Sequence, residues 1–327
     1  MQKTVLIILK IQMHNFKLLT NKFEIRIFSI LGAILVGLLT FSFVLGTQVK
    51  RGNVSTPTEV VINPFDKVEI VARSAYVYDV RNNQMLYSKN PNERMPLASL
   101  TKVMTAVVAL EIVPTYSTIV INQSAIRSNG DSGLRVGERW SLNRLLDFAL
   151  LTSSNDGVQA VALALGALSQ TNPTDKVAVD DFVSQMNKKA DEIGMKNTYY
   201  FNVTGLDESN QKGGAYGTSE DEAKLFAYAL KKHPEIFEAT THKEMRISSL
   251  DNIVHLAKNT DVVVNYIPGI KGSKTGFTDL AGGNLVVAFD PELGRPIIIS
   301  ILGSTEKDRF RDMIKLVEAS LEKIKTQ

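Results

Sequence analysis

Ser99 and Lys102 stand three residues apart in "MPLASLTKVMTAVVALEIV" (Met95 to Val113), where Lys102 is the one charge in a run of small and apolar residues reaching Leu110. On a helix this spacing puts both side chains on one face, a few ångströms apart. A serine hydroxyl is a poor nucleophile until a base takes its proton. Lysine is such a base only when neutral, and burial in an apolar helix drives its pKa down. An unpaired buried ammonium costs several kcal/mol, so the residue most expensive to place here is the one that gives the pair a chemistry: proton abstraction and acyl transfer. Pro96 favours a helix start just upstream, which puts Ser99 in the first turn. There an unpaired backbone N–H and the positive end of the helix dipole favour a developing oxyanion. The alternative is Ser99 as a helix cap with Lys102 snorkelling to solvent. The same spacing recurs at Ser304 with Lys307 and at Ser320 with Lys323, but in polar surroundings where a lysine keeps its proton.

Two more polar groups are set among apolar residues: Ser153-Ser154-Asn155 interrupts "LLTSSNDGVQAVALALG", and Lys274-Thr275-Gly276 precedes "GGNLVVAFD". Such residues are either paired or used. Ser-x-x-Lys, Ser-x-Asn and Lys-Thr-Gly in this order form the set shared by penicillin-binding proteins and class A β-lactamases. Each member alone is weak, as the chance "SLN" at Ser141 to Asn143 shows.

From about Ala72 to Val317 the chain resembles the D-alanyl-D-alanine carboxypeptidases among the low-molecular-mass penicillin-binding proteins, serine peptidase family S11, which trim peptidoglycan stem peptides. The matching stretches are "LASLTKVMTAVVALE", "LLTSSNDGVQAVALALG", "MNKKADEIGMKNTYYFNVTGLD" and "KGSKTGFTDLAGGNLVVAF". The resemblance implies that Ser99 is the acylated nucleophile and Lys102 its general base. It further implies that Ser153 passes a proton to the leaving D-alanine while Asn155 orients the substrate amide. Within Lys274-Thr275-Gly276, Lys274 would hold the electrostatics of the site and Thr275 would bind the terminal carboxylate. The backbone N–H of Phe277 would be the second oxyanion donor, and Arg309 the carboxylate-binding arginine. The implied activity removes the terminal D-alanine of pentapeptides through an acyl-enzyme, is blocked by β-lactam antibiotics and uses no cofactor. The implied fold is the three-layer α/β/α DD-peptidase and β-lactamase type. One departure is Ser154, where glycine is usual and a side chain could narrow the site.

The elements that must position these residues are legible in outline. "SAYVYDVRNNQMLYSKN" (Ser74 to Asn90) alternates around Asn82-Asn83 as a β-hairpin. Helices are expected at about 98–113, at 142–166 with a break near Ser153, at 178–193 and at 219–232. "TNPTDKVAVDD" (171–181) reads as a loop. "GGNLVVAFD" and "RPIIISILG" form a second hairpin around "PELG". Phe310, Met313, Ile314, Val317, Leu321 and Ile324 make one stripe of a last amphipathic helix. Hairpin, helices, hairpin, helix is an α+β order in which one antiparallel sheet draws strands from both ends of the domain around a helical middle.

With 327 residues and 44% hydrophobic content the chain can bury a large core. The absence of cysteine excludes disulfides, thiolate nucleophiles and cysteine-ligated zinc. Of the net charge of +3, the first 51 residues supply +6 (seven Lys and Arg against Glu24), leaving the body at −3. Such a body has no basic footprint for nucleic acid. Ile27 to Gly46 is a stretch of 20 residues without a charge, long enough to span a bilayer. The expected organisation is a cytoplasmic tail (1–26), a transmembrane anchor (27–47) or, alternatively, a signal peptide, a linker (48–70) and an exported catalytic domain (71–327). The N-terminal span would replace the terminal anchor that many family members carry.

Rival chemistries fare worse. A Ser-His-Asp hydrolase would have to use His14, His233, His242 or His255, and neither a Gly-x-Ser-x-Gly elbow nor a His-Glu-x-x-His metal motif occurs. A class A β-lactamase adds a deacylating glutamate. The nearest approach to its motif, "EAKLF" at Glu222 to Phe226, reads as a helix face. A non-catalytic wall-binding protein would have no reason to keep a lysine in a buried helix.

Overall fold

Strands from both ends of the body build its central sheet. The computed structural model describes residues 34, 63–126, 132–168 and 170–326, and the chain divides into Met1–Val61 and Ile62–Gln327. In the second unit, β1 (Ser74–Asp79) and β2 (Gln84–Lys89) form the expected hairpin, with Asn83 at φ +51° in its turn. They are followed by β3 (Met95–Pro96), a 3-10 turn (Ala98–Leu100), α1 (Thr101–Ile112), β4 (Thr118–Val120), α2 (Gln123–Ile126) and β5 (Arg139–Ser141). Next come α3 (Leu142–Thr152), α4 (Asn155–Leu165), α5 (Asp175–Ile193), β6 (Tyr199–Tyr200), β7 (Ala215–Gly217) and α6 (Ser219–Lys232). The chain ends with β8 (Glu244–Ser248), β9 (Val254–Lys258), β10 (Ile270–Thr278), β11 (Gly282–Phe289), β12 (Ile297–Ser304) and α7 (Asp308–Lys325).

The main sheet runs β10-β11-β12-β1-β2, antiparallel throughout. Its inner strands β11 and β12 are largely apolar on both faces, because the sheet lies between two helical layers. Val286, Ala288, Ile298 and Leu302 face the large core built on α1 and α3 to α6. Their neighbours Leu285, Val287, Phe289, Ile297, Ile299 and Ile301 face Met313, Leu316 and Val317 of α7. This period-two division between two cores makes three layers and is the expected α+β architecture.

Two expectations are corrected. The linker does not reach residue 70: Pro64–Lys67 is a 3-10 turn whose Phe65 is buried, and Val71 N and Ala72 N donate to the buried carboxylate of Asp312 on α7. Residues 171–181 are not all loop, because α5 starts at Asp175, where Thr174 Oγ1 caps the helix by accepting from Val177 N. Lys274-Thr275-Gly276 does precede the strand GGNLVVAF, now β11, and it lies itself inside a strand that was not anticipated, β10, at one edge of the sheet. The anchor expected at 27–47 lies, apart from Ile34, outside the described residues, as does most of the linker. Among the described residues no helix is long and apolar enough to cross a membrane.

Candidate active site

α1 is buried on every side along Thr101 to Ala109, and Lys102 within it is fully shielded from solvent. Its Nζ lies 2.7 Å from Ser99 Oγ and donates to Thr204 O at 2.8 Å. Burial first, and the nearby Lys274 charge second, hold its pKa well below the ordinary lysine value. The amine therefore sheds its proton readily, and the Ser99 hydroxyl can then donate to the Nζ lone pair. Ser99 is not in the first turn of the α-helix itself but in the 3-10 turn before it, after Ala98 at φ +49°. That left-handed residue is strained for an alanine, and it turns the chain sharply at the nucleophile.

Neighbours hold the turn from several sides. Asn284, fully buried on β11, donates through Nδ2 to Pro96 O and Leu97 O at 3.0 and 3.1 Å and accepts from Gly303 N at 2.9 Å. Leu97 N donates to Ala215 O on β7. Gly276 of β10 passes so close that a Cβ there would sit 2.8 Å from Leu97 O and 3.3 Å from Ser99 N. Only glycine admits this approach, which brings the strand edge beside the Ser99 amide.

Ser153 ends α3 in the left-handed region, φ +61°, and Ser154 starts α4 by accepting from Gly157 N at 3.0 Å. The expected break in 142–166 is therefore real, and it places Ser153 and Asn155 at one helix junction. Ser154 does not narrow the site. It is buried, and its hydroxyl pairs with Ser132 Oγ at 2.6 Å, which also donates to Asp156 Oδ2 at 2.9 Å.

Lys274 crosses to this junction: its Nζ donates to Ser153 Oγ at 2.9 Å and to Thr275 O at 2.8 Å. Burial and then the Arg309 charge pull its pKa down to about 7, while Asp261 opposes the fall. Thr275 Oγ1 lies 2.6 Å from Thr260 Oγ1, and Thr260 N donates to Leu151 O near the end of α3. Arg309 comes to the same place from α7, but its guanidinium is buried and NH1 donates to Gly276 O at 2.7 Å. It therefore braces β10 from behind and adds positive potential. Phe277 follows, half exposed, at the rim of the strand.

Ser99, Lys102, Ser153, Lys274, Thr275 and Gly276 thus meet where the turn before α1, the α3–α4 break and β10 come together, with Asn155 at the start of α4 and Arg309 reaching Gly276 O from α7. The rival motifs do not. Ser304 Oγ donates to Asp312, Ser320 Oγ to Leu316 O, and Ser141 Oγ to Asn143 Oδ1, each a local structural bond. His255 pairs with buried Glu138 at 2.7 Å, His233 lies near Glu111 and Glu235, and His242 is beside Thr241. Glu222 is on the buried side of α6. Among the described residues no group of three or more His, Asp or Glu could hold a metal ion.

Asn284, Thr204, Thr260 and Asp261 were not anticipated from sequence. Asn284 had a signal, a polar residue in the middle of an apolar β run. The others come from loops whose contacts are long-range.

The family model for D-alanyl-D-alanine carboxypeptidases, peptidase family S11, matches residues 59–305. The D-alanyl-D-alanine carboxypeptidase DacF of Bacillus subtilis is 27% identical over 304 residues, covering 91% of this chain and 72% of the relative. A D-alanyl-D-alanine endopeptidase of Pseudomonas aeruginosa is 34% identical over 228 residues, 67% of each chain. Among solved structures, the D-alanyl-D-alanine carboxypeptidase of Mycobacterium tuberculosis H37Rv superposes with a TM-score of 0.68 at 26% identity, over 78% of this chain and 92% of that one. The Streptomyces K15 DD-transpeptidase gives 0.69 at 25% identity, over 78% and 98%. With its three motifs brought to one buried junction on the fold of these enzymes, the chain belongs to the D-alanyl-D-alanine carboxypeptidase family of serine peptidases.

Proposed function

We propose that this protein removes the terminal D-alanine from peptidoglycan stem peptides through an acyl-enzyme on Ser99. The observation that carries the reading is the buried Lys102 amine 2.7 Å from the Ser99 hydroxyl with its pKa pressed down. Neutral Lys102 takes the Ser99 proton as Oγ attacks the carbonyl carbon of the penultimate D-alanine. The carbonyl oxygen becomes an oxyanion between the backbone N–H groups of Ser99 and Phe277. The C–N bond then breaks, Ser153 hands its proton to the departing D-alanine amine and takes in its place the proton that Lys102 holds, so that an ester remains on Ser99 and Lys102 is neutral again. Water, giving a proton to Lys102, attacks the ester; the bond to Ser99 Oγ breaks as Lys102 returns that proton to the oxygen, and the shortened peptide is freed.

Asn155 orients the substrate amide. Thr275 and cationic Lys274 receive the terminal carboxylate, with Gly276 letting their strand pass close to the Ser99 amide and Arg309 holding the strand through Gly276 O. In a β-lactam the same C–N bond breaks but the amine stays tethered to the acyl group through the opened ring, so it cannot leave to make way for water and the ester persists on Ser99. Family membership supports an extracytoplasmic catalytic domain. Tethering by residues 27–47 with residues 1–26 in the cytoplasm is the accompanying proposal.

A fluorescent penicillin should attach covalently to the wild type and not to Ser99→Ala, and D-alanine should be released from a diacyl tripeptide ending in D-Ala-D-Ala. Attachment to Ser99→Ala, or none to the wild type, ends this reading. Rapid β-lactam turnover without D-alanine release would indicate a β-lactamase instead. The 34% identity to an endopeptidase favours a second activity on cross-linked peptides, which release of monomers from a cross-linked muropeptide dimer would show.

A further inference from the structure

Phe201 to Asp207, "FNVTGLD", contributes no side chain to the chemistry above, yet it is tightly closed. Asn202 Oδ1 accepts from Thr204 N, Thr204 Oγ1 and Gly205 N at 3.2, 3.2 and 2.8 Å, and its Nδ2 donates to Leu206 O at 2.9 Å. Leu206 N donates to Thr204 Oγ1 at 3.1 Å. At Gly205, φ +80°, a Cβ would lie 1.8 Å from Ala98 O, so the loop presses directly on the nucleophile turn.

The two ends of this loop reach the two halves of the site. Thr204 O holds Lys102 Nζ. Asp207 Oδ1 accepts from Thr278 Oγ1 at 3.0 Å and Oδ2 from Leu280 N at 3.4 Å, while Thr278 Oγ1 accepts from Ala281 N at 3.1 Å. Thr278 ends β10 and directly follows Phe277. β10 is an edge strand with β11 as its one sheet neighbour, so its outer side is positioned by whatever packs there. An oxyanion donor works only within a few tenths of an ångström of its place.

We propose that Asp207 is a positioning residue for acylation: by clamping Thr278 and the turn after it, Asp207 fixes the Phe277 amide relative to Ser99. The Asn202-closed loop makes this position and that of the Lys102 amine parts of one rigid unit. The inference rests on the reading of Ser99 and Phe277 given above. Lys102 owes its depressed proton affinity to burial and then to Lys274, and Lys274 owes its own to burial and then to Arg309, with Asp207 not among the causes. The clamp therefore acts through geometry and leaves the pH profile in place.

The test is stopped-flow acylation of the detergent-solubilised full chain by a fluorescent penicillin, for wild type, Asp207→Ala, Asp207→Asn, Thr278→Val and the Asp207→Ala/Thr278→Val double variant, with melting curves for each. Asp207→Ala should acylate about 10- to 100-fold more slowly, the scale of a misplaced reacting group, with unchanged pre-covalent affinity and pH profile. Asp207→Asn, whose amide oxygen still accepts from Thr278, should recover most of the rate. Thr278→Val should reproduce the loss, and the double variant should be no slower than the slower single one. A folded Asp207→Ala that acylates at the wild-type rate overturns the inference, as does a loss confined to affinity or two losses that multiply. If Asp207→Ala does not fold, Thr278→Val decides by the same criteria. Wild type that fails to acylate would instead remove the functional reading itself, so the two failures are distinguishable.

Discussion

The buried lysines Lys102 and Lys274 and the buried carboxyl of Glu222 are alike in being out of water, and they differ in what each can hand a proton to. Lys102 and Lys274 are out of water, and burial is the largest cause of both depressed pKa values. Each amine still has partners placed for proton traffic, Ser99 Oγ and Thr204 O for one and Ser153 Oγ and Thr275 O for the other. Glu222 on α6 is equally buried, and burial followed by the Asp221 charge raises its pKa to about 8. Neither of its carboxylate oxygens has a hydrogen-bond partner, nor has the hydroxyl of Tyr200, whose proton burial and the Glu222 charge hold in place. A perturbed pKa thus marks burial. A perturbed pKa with a hydroxyl at 2.7 to 2.9 Å marks a place where a proton can go.

Substitutions at the lysine site and at Glu222 should separate in kind as well as size. Ser99→Ala should abolish covalent attachment of a β-lactam, read as the missing mass increment in intact-protein mass spectrometry. Lys102→Ala should keep the nucleophile but slow acylation on the order of a thousandfold, as the loss of a general base does. Lys274→Ala should cost on the order of a hundredfold in kcat/KM for peptide release.

The pH profile of the wild type follows from the same pair. Activity on the acidic side is lost as Lys102 gains a proton. Because the Lys274 pKa is about 7, its cation fades as pH rises past that value, and kcat/KM for a carboxylate-bearing peptide should fall there. The bound carboxylate favours the cation, so the alkaline limb of kcat should lie at higher pH than that of kcat/KM. Coincident limbs would deny Lys274 a role in holding the carboxylate.

Glu222→Gln should leave activity alone and change stability. With the folded pKa near 8 above an ordinary value of 4.5, the folded state is penalised progressively as pH rises through that window. Removing the titration should then stabilise the protein by roughly 1 to 3 kcal/mol at pH 7, shrinking towards zero near pH 4.5. Urea denaturation at the two pH values checks the sign, and a gain that grows towards acid would contradict it. The smallest effect is expected for Ser154→Gly, which loses the cap on α4 and the bond to Ser132. A few tenths of a kcal/mol is the usual scale for a glycine at this position, with acylation nearly unchanged because the buried Ser154 hydroxyl is engaged by Gly157 N and Ser132.

Local pattern alone carried much of this structure. The first hairpin, the break at Ser153, the β11–β12 hairpin and the stripe of α7 all appear where alternation, helical period and turn residues placed them. The reading failed where tertiary contacts override local composition. Thr171 to Asp181 looked too polar for a helix until Thr174 capped it and Ala178 and Phe182 found the core. The supposed tether ended early because Asp312, some 240 residues away, offered a carboxylate to the amides of Val71 and Ala72.

Ser99, Lys102, Ser153, Asn155 and the Lys-Thr-Gly stretch were legible because each is a polar residue whose setting makes it costly, and cost is written in the neighbouring residues. What the sequence by itself determined is therefore which groups are present and that a lysine buried at position 102 has a lowered proton affinity, while the division of protons between Lys102 and Lys274 was not written there. Tertiary structure alone decided that Lys274 reaches Ser153, that Arg309 braces Gly276, and that Asn284, Thr260 and the Asn202 loop hold the pieces in register. Those contacts join segments far apart along the chain, and their geometry is set by how three layers pack.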